Sequence, residues 1–231
     1  MTVPKVVFLF DIDNTLLDND HIQQDLREHL TQHVGPDCQR KYWETLEELR
    51  SELGYVDYLG SLQRYRMAHP RDLAILAVSK YLIDYPFANR LYPGSLDAVA
   101  HVSKWGRAVI LSDGDAVFQP WKAERSGLAE AFHGRTLIYI HKEDMLDDVE
   151  KRYPADHYVM IDDKLRILDA IKSKWKGRVT TVFVEQGHYA EDPETLARYS
   201  HGDLQVERIG DLVKVPRSKF LPPGHSSSKG T

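Results

Sequence analysis

The sequence predicts an α/β fold, a largely parallel sheet with helices packed on it, interrupted by an all-helical insertion after the first strand. Two observations carry this expectation. Short continuous apolar runs, each ending at polar residues, alternate with helix-length segments. One long stretch, from residue 19 to about 90, contains no such run and instead repeats its apolar residues at helical spacing. At 231 residues the chain is long enough to bury a sizeable core, either as one large domain or as a core carrying a smaller inserted one.

Val6-Val7-Phe8-Leu9-Phe10 opens the pattern, a run rich in β-formers that fits a strand buried on both faces of a parallel sheet. Ala108-Val109-Ile110-Leu111 ends at Ser112, Leu137-Ile138-Tyr139-Ile140 ends at His141, and Tyr158-Val159-Met160-Ile161 ends at Asp162. Residues 179–184 make a fifth strand. Between them lie predicted helices over 96–105, 116–125, 144–153 and 165–175, several followed closely by a glycine stop at Gly106, Gly127 or Gly177. Such alternation implies βαβ units with right-handed crossovers.

In the insertion, Ile22, Leu26 and Leu30 share a helix face, as do Trp43, Leu46, Leu49 and Leu53, and Leu59, Leu62 and Tyr65 continue the pattern. Pro70 stands where a further helix can begin, with Leu73, Leu76, Ala77 and Tyr81 on one face. The expected organisation is therefore a core of residues 1–18 and 90–215, a helical block of residues 19–89, and a disordered tail of residues 216–231, which lacks apolar periodicity. Because the block leaves from the carboxyl end of a strand, it should lie over the crevice where α/β sheets bind ligands.

The formal net charge of −5 with interspersed signs argues against nucleic acid as a partner. The few apolar residues before Asp11 are too short for a signal core or a membrane span, so the expected setting is cytoplasmic with no membrane partner. A single cysteine, Cys38, cannot form an internal disulfide and reads as a structural thiol in a reducing compartment. The eleven histidines show no paired ligand spacing on a helix face, which argues against zinc.

Chemistry concentrates at the strand ends. In Asp11-Ile12-Asp13-Asn14-Thr15-Leu16-Leu17, alternate residues Asp11 and Asp13 project together from the first strand, and their repulsion is tolerable beside a hard divalent cation such as Mg²⁺. Ser112 follows the second strand, Lys142 lies two residues past the third, and Asp162-Asp163 ends the fourth. In a parallel sheet all these ends face one way, so the residues should converge on Asp11. Carboxylates, a hydroxyl and a cation are what phosphoryl transfer requires.

These four elements, in this order, resemble the four motifs of the haloacid-dehalogenase-like hydrolase superfamily. Leu91-Tyr92-Pro93-Gly94-Ser95-Leu96 and Gly127-Leu128-Ala129-Glu130-Ala131-Phe132 resemble the segments that surround them, and the similarity spans residues 5 to about 185. The resemblance implies a Rossmann-like core with an inserted α-helical cap of the first type, and a Mg²⁺-dependent phosphatase acting on a small phosphorylated metabolite. It implies that Asp11 attacks phosphorus to form an aspartyl-phosphate, and that Asp13 moves protons through its carboxyl while its backbone carbonyl binds Mg²⁺. Ser112 and Lys142, with Asp113 alongside, would bind the phosphoryl group, and Asp162 and Asp163 would complete the metal shell. Of that pair Asp163 aligns with the usual carboxylate.

Two departures stand out. Glu143 follows Lys142 where proline is usual, which leaves Lys122 as a second candidate for the motif-three lysine. Lys164 follows the acidic pair where a small polar residue is common, and reads as a solvated helix-start residue. Dehalogenation of a 2-haloacid is the nearest alternative reaction. Asp13 weighs against it, because carbon–halogen cleavage needs neither a proton donor nor a metal. A phosphonatase, a phosphomutase, a receiver-like regulatory module and a non-catalytic binding member are the remaining alternatives. Arg64, Arg66 and His69, close to Tyr55, Tyr58 and Tyr65, read as surface and core of the block rather than as a phosphate site.

Overall fold

A computed structural model describes residues 5–221. The strands are β1 (Val6–Phe10), β2 (Arg107–Asp113), β3 (Thr136–Tyr139), β4 (His157–Asp162), β5 (Val179–Val184) and β6 (Leu204–Val206). They form one sheet in the order β3-β2-β1-β4-β5-β6, and every neighbouring pair is parallel. Helices α1 (Asn19–His33), α2 (Pro36–Leu53), α3 (Tyr58–Ala68) and α4 (Leu76–Asp84) fill the connection between β1 and β2, which α5 (Ser95–Ser103) completes. Further along come α6 (Phe118–Arg125), α7 (Leu128–Ala131), α8 (Leu146–Arg152), α9 (Leu165–Trp175) and α10 (Pro193–Arg198). The α/β expectation and the five strands read from the sequence hold. No helix among the described residues is long and apolar enough to cross a membrane.

Strand alternation splits β1 between two cores. Val6, Phe8 and Phe10 face one core, shared with α1 to α7, whereas Val7 and Leu9 face the other, shared with α8 and α9. All five side chains are buried, so nothing polar in β1 disturbs the sheet until Asp11. In register, Phe10 lies beside Ile161 of β4 and Ile110 of β2, which brings the chain just past β1 next to the ends of both neighbours.

The insertion is helical for local reasons. Asp18 caps α1, its carboxylate accepting from the His21 N–H, and Ile22, Leu26 and Leu30 are buried as their spacing predicts. Helix α2 begins with Pro36, buries Tyr42, Trp43, Leu46 and Leu49, and stops at Gly54, whose φ of 78° suits glycine. The lone Cys38 is buried on α2, where burial pushes its thiol up.

Three expectations are corrected. The helix expected from Pro70 starts instead at Leu76, because Asp72 accepts from the Ala74 N–H and ties residues 72–74 into a turn. The face it buries carries Val78 and Leu82, and Leu73 and Leu76 are exposed. Strand β6 escaped the pattern because it has three residues, and its middle residue, Gln205, is exposed. The segment expected to fray from residue 216 is ordered in its first part. Residues Arg217–Phe220 form a 3₁₀ turn, and Phe220 is fully buried against Phe8 and Trp105, with ring centroids 5.6 and 5.8 Å away. Residues 222–231 lie outside the described residues.

Candidate active site

Asp11 leaves β1 with its N–H donating to the Ile161 carbonyl at 3.0 Å, so β4 holds the nucleus of the site in place. Its carboxylate is 2 % exposed. Lys142 Nζ, fully buried, lies 2.6 Å from Asp11 Oδ1 and 2.7 Å from Asp162 Oδ2, and Ser112 Oγ donates to Asp11 Oδ1 at 3.0 Å. Lys142, not Lys122, is therefore the lysine that reaches Asp11. Its placement follows from β2 and β3: Asp113 pairs in register with Tyr139, and Asp113 Oδ1 accepts from the Lys142 N–H at 2.7 Å. Asp113 thus acts as a strut for the lysine's loop while still lining the cavity described below.

Asp163 is carried by the turn after β4 and is tied to the β1 loop, its N–H donating to Thr15 Oγ1 at 3.0 Å. The side chains of Asp11, Asp162 and Asp163 are buried together, each offering an oxygen within 4.8 Å of the others. Asp11 Oδ2 and Asp163 Oδ2 are buried with no hydrogen-bond partner among the described residues. A buried carboxylate oxygen without a donor is costly, and a shared divalent cation with oxygen preference would satisfy both. The residues therefore fit the Mg²⁺ that the four motifs imply. The Asp13 carboxylate is not part of this trio, and only its backbone carbonyl is left for a cation.

The electrostatics agree with that reading. Burial pushes the Asp163 carboxyl up, and repulsion from Asp162 and Asp11 adds to it, so it lies well above the usual carboxylate range. Burial also raises Asp162. At Asp11 burial acts the same way, but the Lys142 and Lys164 ammoniums and the Lys142 and Ser112 hydrogen bonds outweigh it and hold the carboxyl low. Lys142 stays charged despite burial, because Asp11 and Asp162 flank it. A divalent cation shared by the trio would favour the ionised form of these carboxyls.

Asp13 is served by a second set of residues. Lys122 Nζ, on a side chain 1 % exposed, donates to Asp13 Oδ1 at 2.7 Å and to Asn19 Oδ1 at 3.2 Å. Gln119 Nε2 donates to Asp13 Oδ2 at 3.3 Å and to Ser112 Oγ at 3.1 Å. Both come from α6. The sequence singled out Lys122 only as a rival to Lys142 and did not single out Gln119; their spacing of three on one turn of the helix that follows Ser112 is the hint that was available. Lys164 also departs from its expected role, since it lines the cavity and the carboxylates of Asp163 and Asp11 raise it.

A cavity of about 390 Å³ opens over these groups, within the usual size for small-molecule sites. The helical block supplies part of its wall through Arg50, Tyr55 and Tyr58, and the core supplies Asp13, Lys122 and Lys164. Arg64 turns away to pair with Glu52 at 2.7 Å, and the His69 ring lies 3.2 Å from the Tyr65 carbonyl, so neither belongs to the site.

The model of the family described as hydrolase, haloacid dehalogenase-like hydrolase, matches residues 6–173. A solved structure described as a haloacid dehalogenase-like hydrolase of Burkholderia xenovorans LB400 is 59% identical, covering 92% of this chain and 99% of that one, with a TM-score of 0.89. A magnesium-bound hydrolase of Bacillus subtilis is 16% identical over 91% of this chain and 97% of its own, with a TM-score of 0.59. An L-2-haloacid dehalogenase of Xanthobacter autotrophicus with chloropropionic acid covalently bound is 16% identical over 90% and 96%, with a TM-score of 0.58. The last two likenesses concern the fold alone. A search of curated proteins found no match.

Proposed function

The chain belongs to the haloacid dehalogenase-like hydrolases, and from that premise we propose that it is a Mg²⁺-dependent phosphatase hydrolysing a small phosphate monoester through an aspartyl-phosphate. One observation carries the choice of phosphoryl transfer over dehalogenation. Asp11 and Asp13 stand two residues apart yet are held by separate cations, Lys142 and Lys122, which supports a reading in which one carboxylate attacks and the other carries protons. Carbon–halogen cleavage has no use for the second.

Lys142 and Ser112 fix Asp11 Oδ1 and face the phosphoryl oxygens, neutralising their charge as the ester enters. Asp11 attacks phosphorus, the bond to the ester oxygen breaks, and Asp13 hands a proton to the departing alkoxide. Asp13 then takes a proton from the water that attacks the same phosphorus, and cleavage of the phosphorus–Asp11 bond releases phosphate, leaving Asp11 a carboxylate again and Asp13 again carrying the proton it began with. Lys122 and Gln119 hold Asp13 through these exchanges. Asp11, Asp163 and the Asp13 carbonyl, with Asp162 beside them, would hold Mg²⁺, which would supply charge neutralisation for the transferring group.

The helical block of residues 19–89 serves as the cap, closing the cavity against water and selecting the substrate. It touches the core through Arg50 on Tyr189, and through Trp121 Nε1, which donates to the Ile83 carbonyl at 2.8 Å. Buried Cys38 and the net charge of −5 suit a cytoplasmic enzyme whose partner is a small phosphorylated metabolite rather than nucleic acid or membrane.

Hydrolysis of an aryl phosphate by the purified protein, with Mg²⁺ and with chelator, tests this reading. Turnover should require Mg²⁺, and Asp11→Asn should lower it at least about a thousandfold while circular dichroism stays unchanged. Release of chloride from 2-chloropropionate without added metal would contradict it, as would full activity of the Asp11 variant.

A further inference from the structure

The cations that line the cavity are not equivalent. Lys122 is neutralised by Asp13, and Arg166, which also lines the cavity, is neutralised by Glu143 at 2.6 Å. Lys164 faces the acidic trio, and Arg198 of α10, which also lines the cavity, lies over the Tyr199 ring at 5.3 Å. Arg50, on the last turn of α2, differs: its Nη2 donates to the neutral Tyr189 hydroxyl at 2.5 Å, across 139 residues of chain. Its acidic neighbour is Glu47, 3.6 Å away and half exposed. A basic residue at a helix carboxyl terminus has a local use in offsetting the dipole. That use does not require it to reach a core loop on the far side of the cavity.

Tyr189 adds a second feature. Its oxygen accepts from Arg50, and its own proton has no acceptor among the described residues. Its ring lies under Lys164 Nζ at 5.4 Å, so the tyrosine spans the space between the acidic trio and the cap. Arg50 and Tyr189 thus present a guanidinium and a hydroxyl donor to one cavity, with no carboxylate at hydrogen-bond distance from the pair among the described residues.

We propose that Arg50 and Tyr189 form a second anion subsite, and that the preferred substrates are small phosphate esters whose alcohol carries a carboxylate or a further phosphate. The phosphoryl group lies on Ser112 and Lys142, and the distal anion lies on the guanidinium from the cap. Binding the distal anion ties cap to core at the moment the cavity fills. The proposal rests on the phosphatase reading for where the first group sits.

The test uses matched esters: phosphates of glycolic, hydroxypropionic and hydroxybenzoic acid, each against the counterpart lacking the carboxylate. For the length that fits, kcat/KM should favour the carboxylated ester by about 10- to 100-fold, expressed mainly in KM. Arg50→Ala should erase that preference, Arg50→Lys should restore part of it, and Tyr189→Phe should reduce it. A latch without a ligand role would lower both members of each pair by the same factor. Equal kcat/KM values across every pair in the wild type, or a preference that survives Arg50→Ala, overturns the proposal. Calorimetric binding of the same pairs to Asp11→Asn, with and without Arg50→Ala, decides the subsite independently of turnover. A preference in binding there with no hydrolysis by the wild type would sink the phosphatase reading and leave the subsite standing.

Discussion

The two rims of the sheet treat charge in opposite ways. At the amino ends of the strands, Lys5 and Arg107 are exposed, and Arg178 pairs with Glu150 at 3.1 Å with both side chains a third or more in solvent. At the carboxyl ends Asp11, Lys142, Asp162 and Asp163 are all but sealed from water, with Lys142 2.6 Å from Asp11 and 2.7 Å from Asp162. Taking such groups out of water costs several kcal/mol each, and apolar replacements of the same shape fold at least as well. The chain buries this cluster of charge at the rim where the ends of β1, β2 and β4 meet the cavity.

The sharpest way to break this contrast is at Lys142. Lys142→Met should remove turnover, by about a thousandfold or more, and should destabilise by about 3–5 kcal/mol because Asp11 and Asp162 are left buried without their cation. Urea unfolding with and without Mg²⁺ checks it, and a stability equal to wild type in chelator would contradict the ion-pair assignment. A smaller effect belongs to Lys122→Met. Asp13 keeps Gln119, so kcat should fall about 10- to 100-fold with little change in KM, and a large KM effect would move Lys122 to substrate binding.

Asp113 sharpens the comparison through pH. Burial raises its carboxyl from 3.8 to about 6, against the pull of Lys142 and with some help from Asp11. A carboxyl raised on folding binds its proton more tightly in the native state. Its contribution is therefore complete below the unfolded value and is lost as pH climbs through about 6. Asp113→Asn, which keeps an oxygen for the Lys142 N–H, should flatten that decline by up to about 3 kcal/mol. Parallel stability curves for the two proteins across this range would contradict it. The smallest effect is at the other rim, where Arg178→Ala should change stability by no more than about 0.5 kcal/mol, measured the same way.

Much of the site was legible because it grows from backbone pattern. A continuous apolar run ending in Asp11-Ile12-Asp13 locates a parallel strand and its carboxyl end in one reading, and parallel register then carries Ser112, Lys142 and Asp162 to the same place. Lys142 is preferred to Lys122 because it sits at a strand end while Lys122 lies on the helix after Ser112, and the contacts separate the two, Asp113 holding the Lys142 N–H and Lys122 pairing with Asp13. Gln119 and the inward turn of Lys164 depend on side-chain direction within a tertiary cavity, which periodicity does not encode. Phe220 was missed for a related reason: a single aromatic in a polar tail has no period, yet the space beside Phe8 and Trp105 is enough to order it.

The central claim is that phosphate passes through the Asp11 carboxylate, and trapping it is the most direct measurement. Acid quench of Asp13→Asn after brief exposure to an aryl phosphate and Mg²⁺, followed by peptide mass spectrometry, should find phosphate on the peptide carrying Asp11 and none in the Asp11→Asn control. Phosphate on another residue, or burst-phase product release with no modified peptide, would contradict the account.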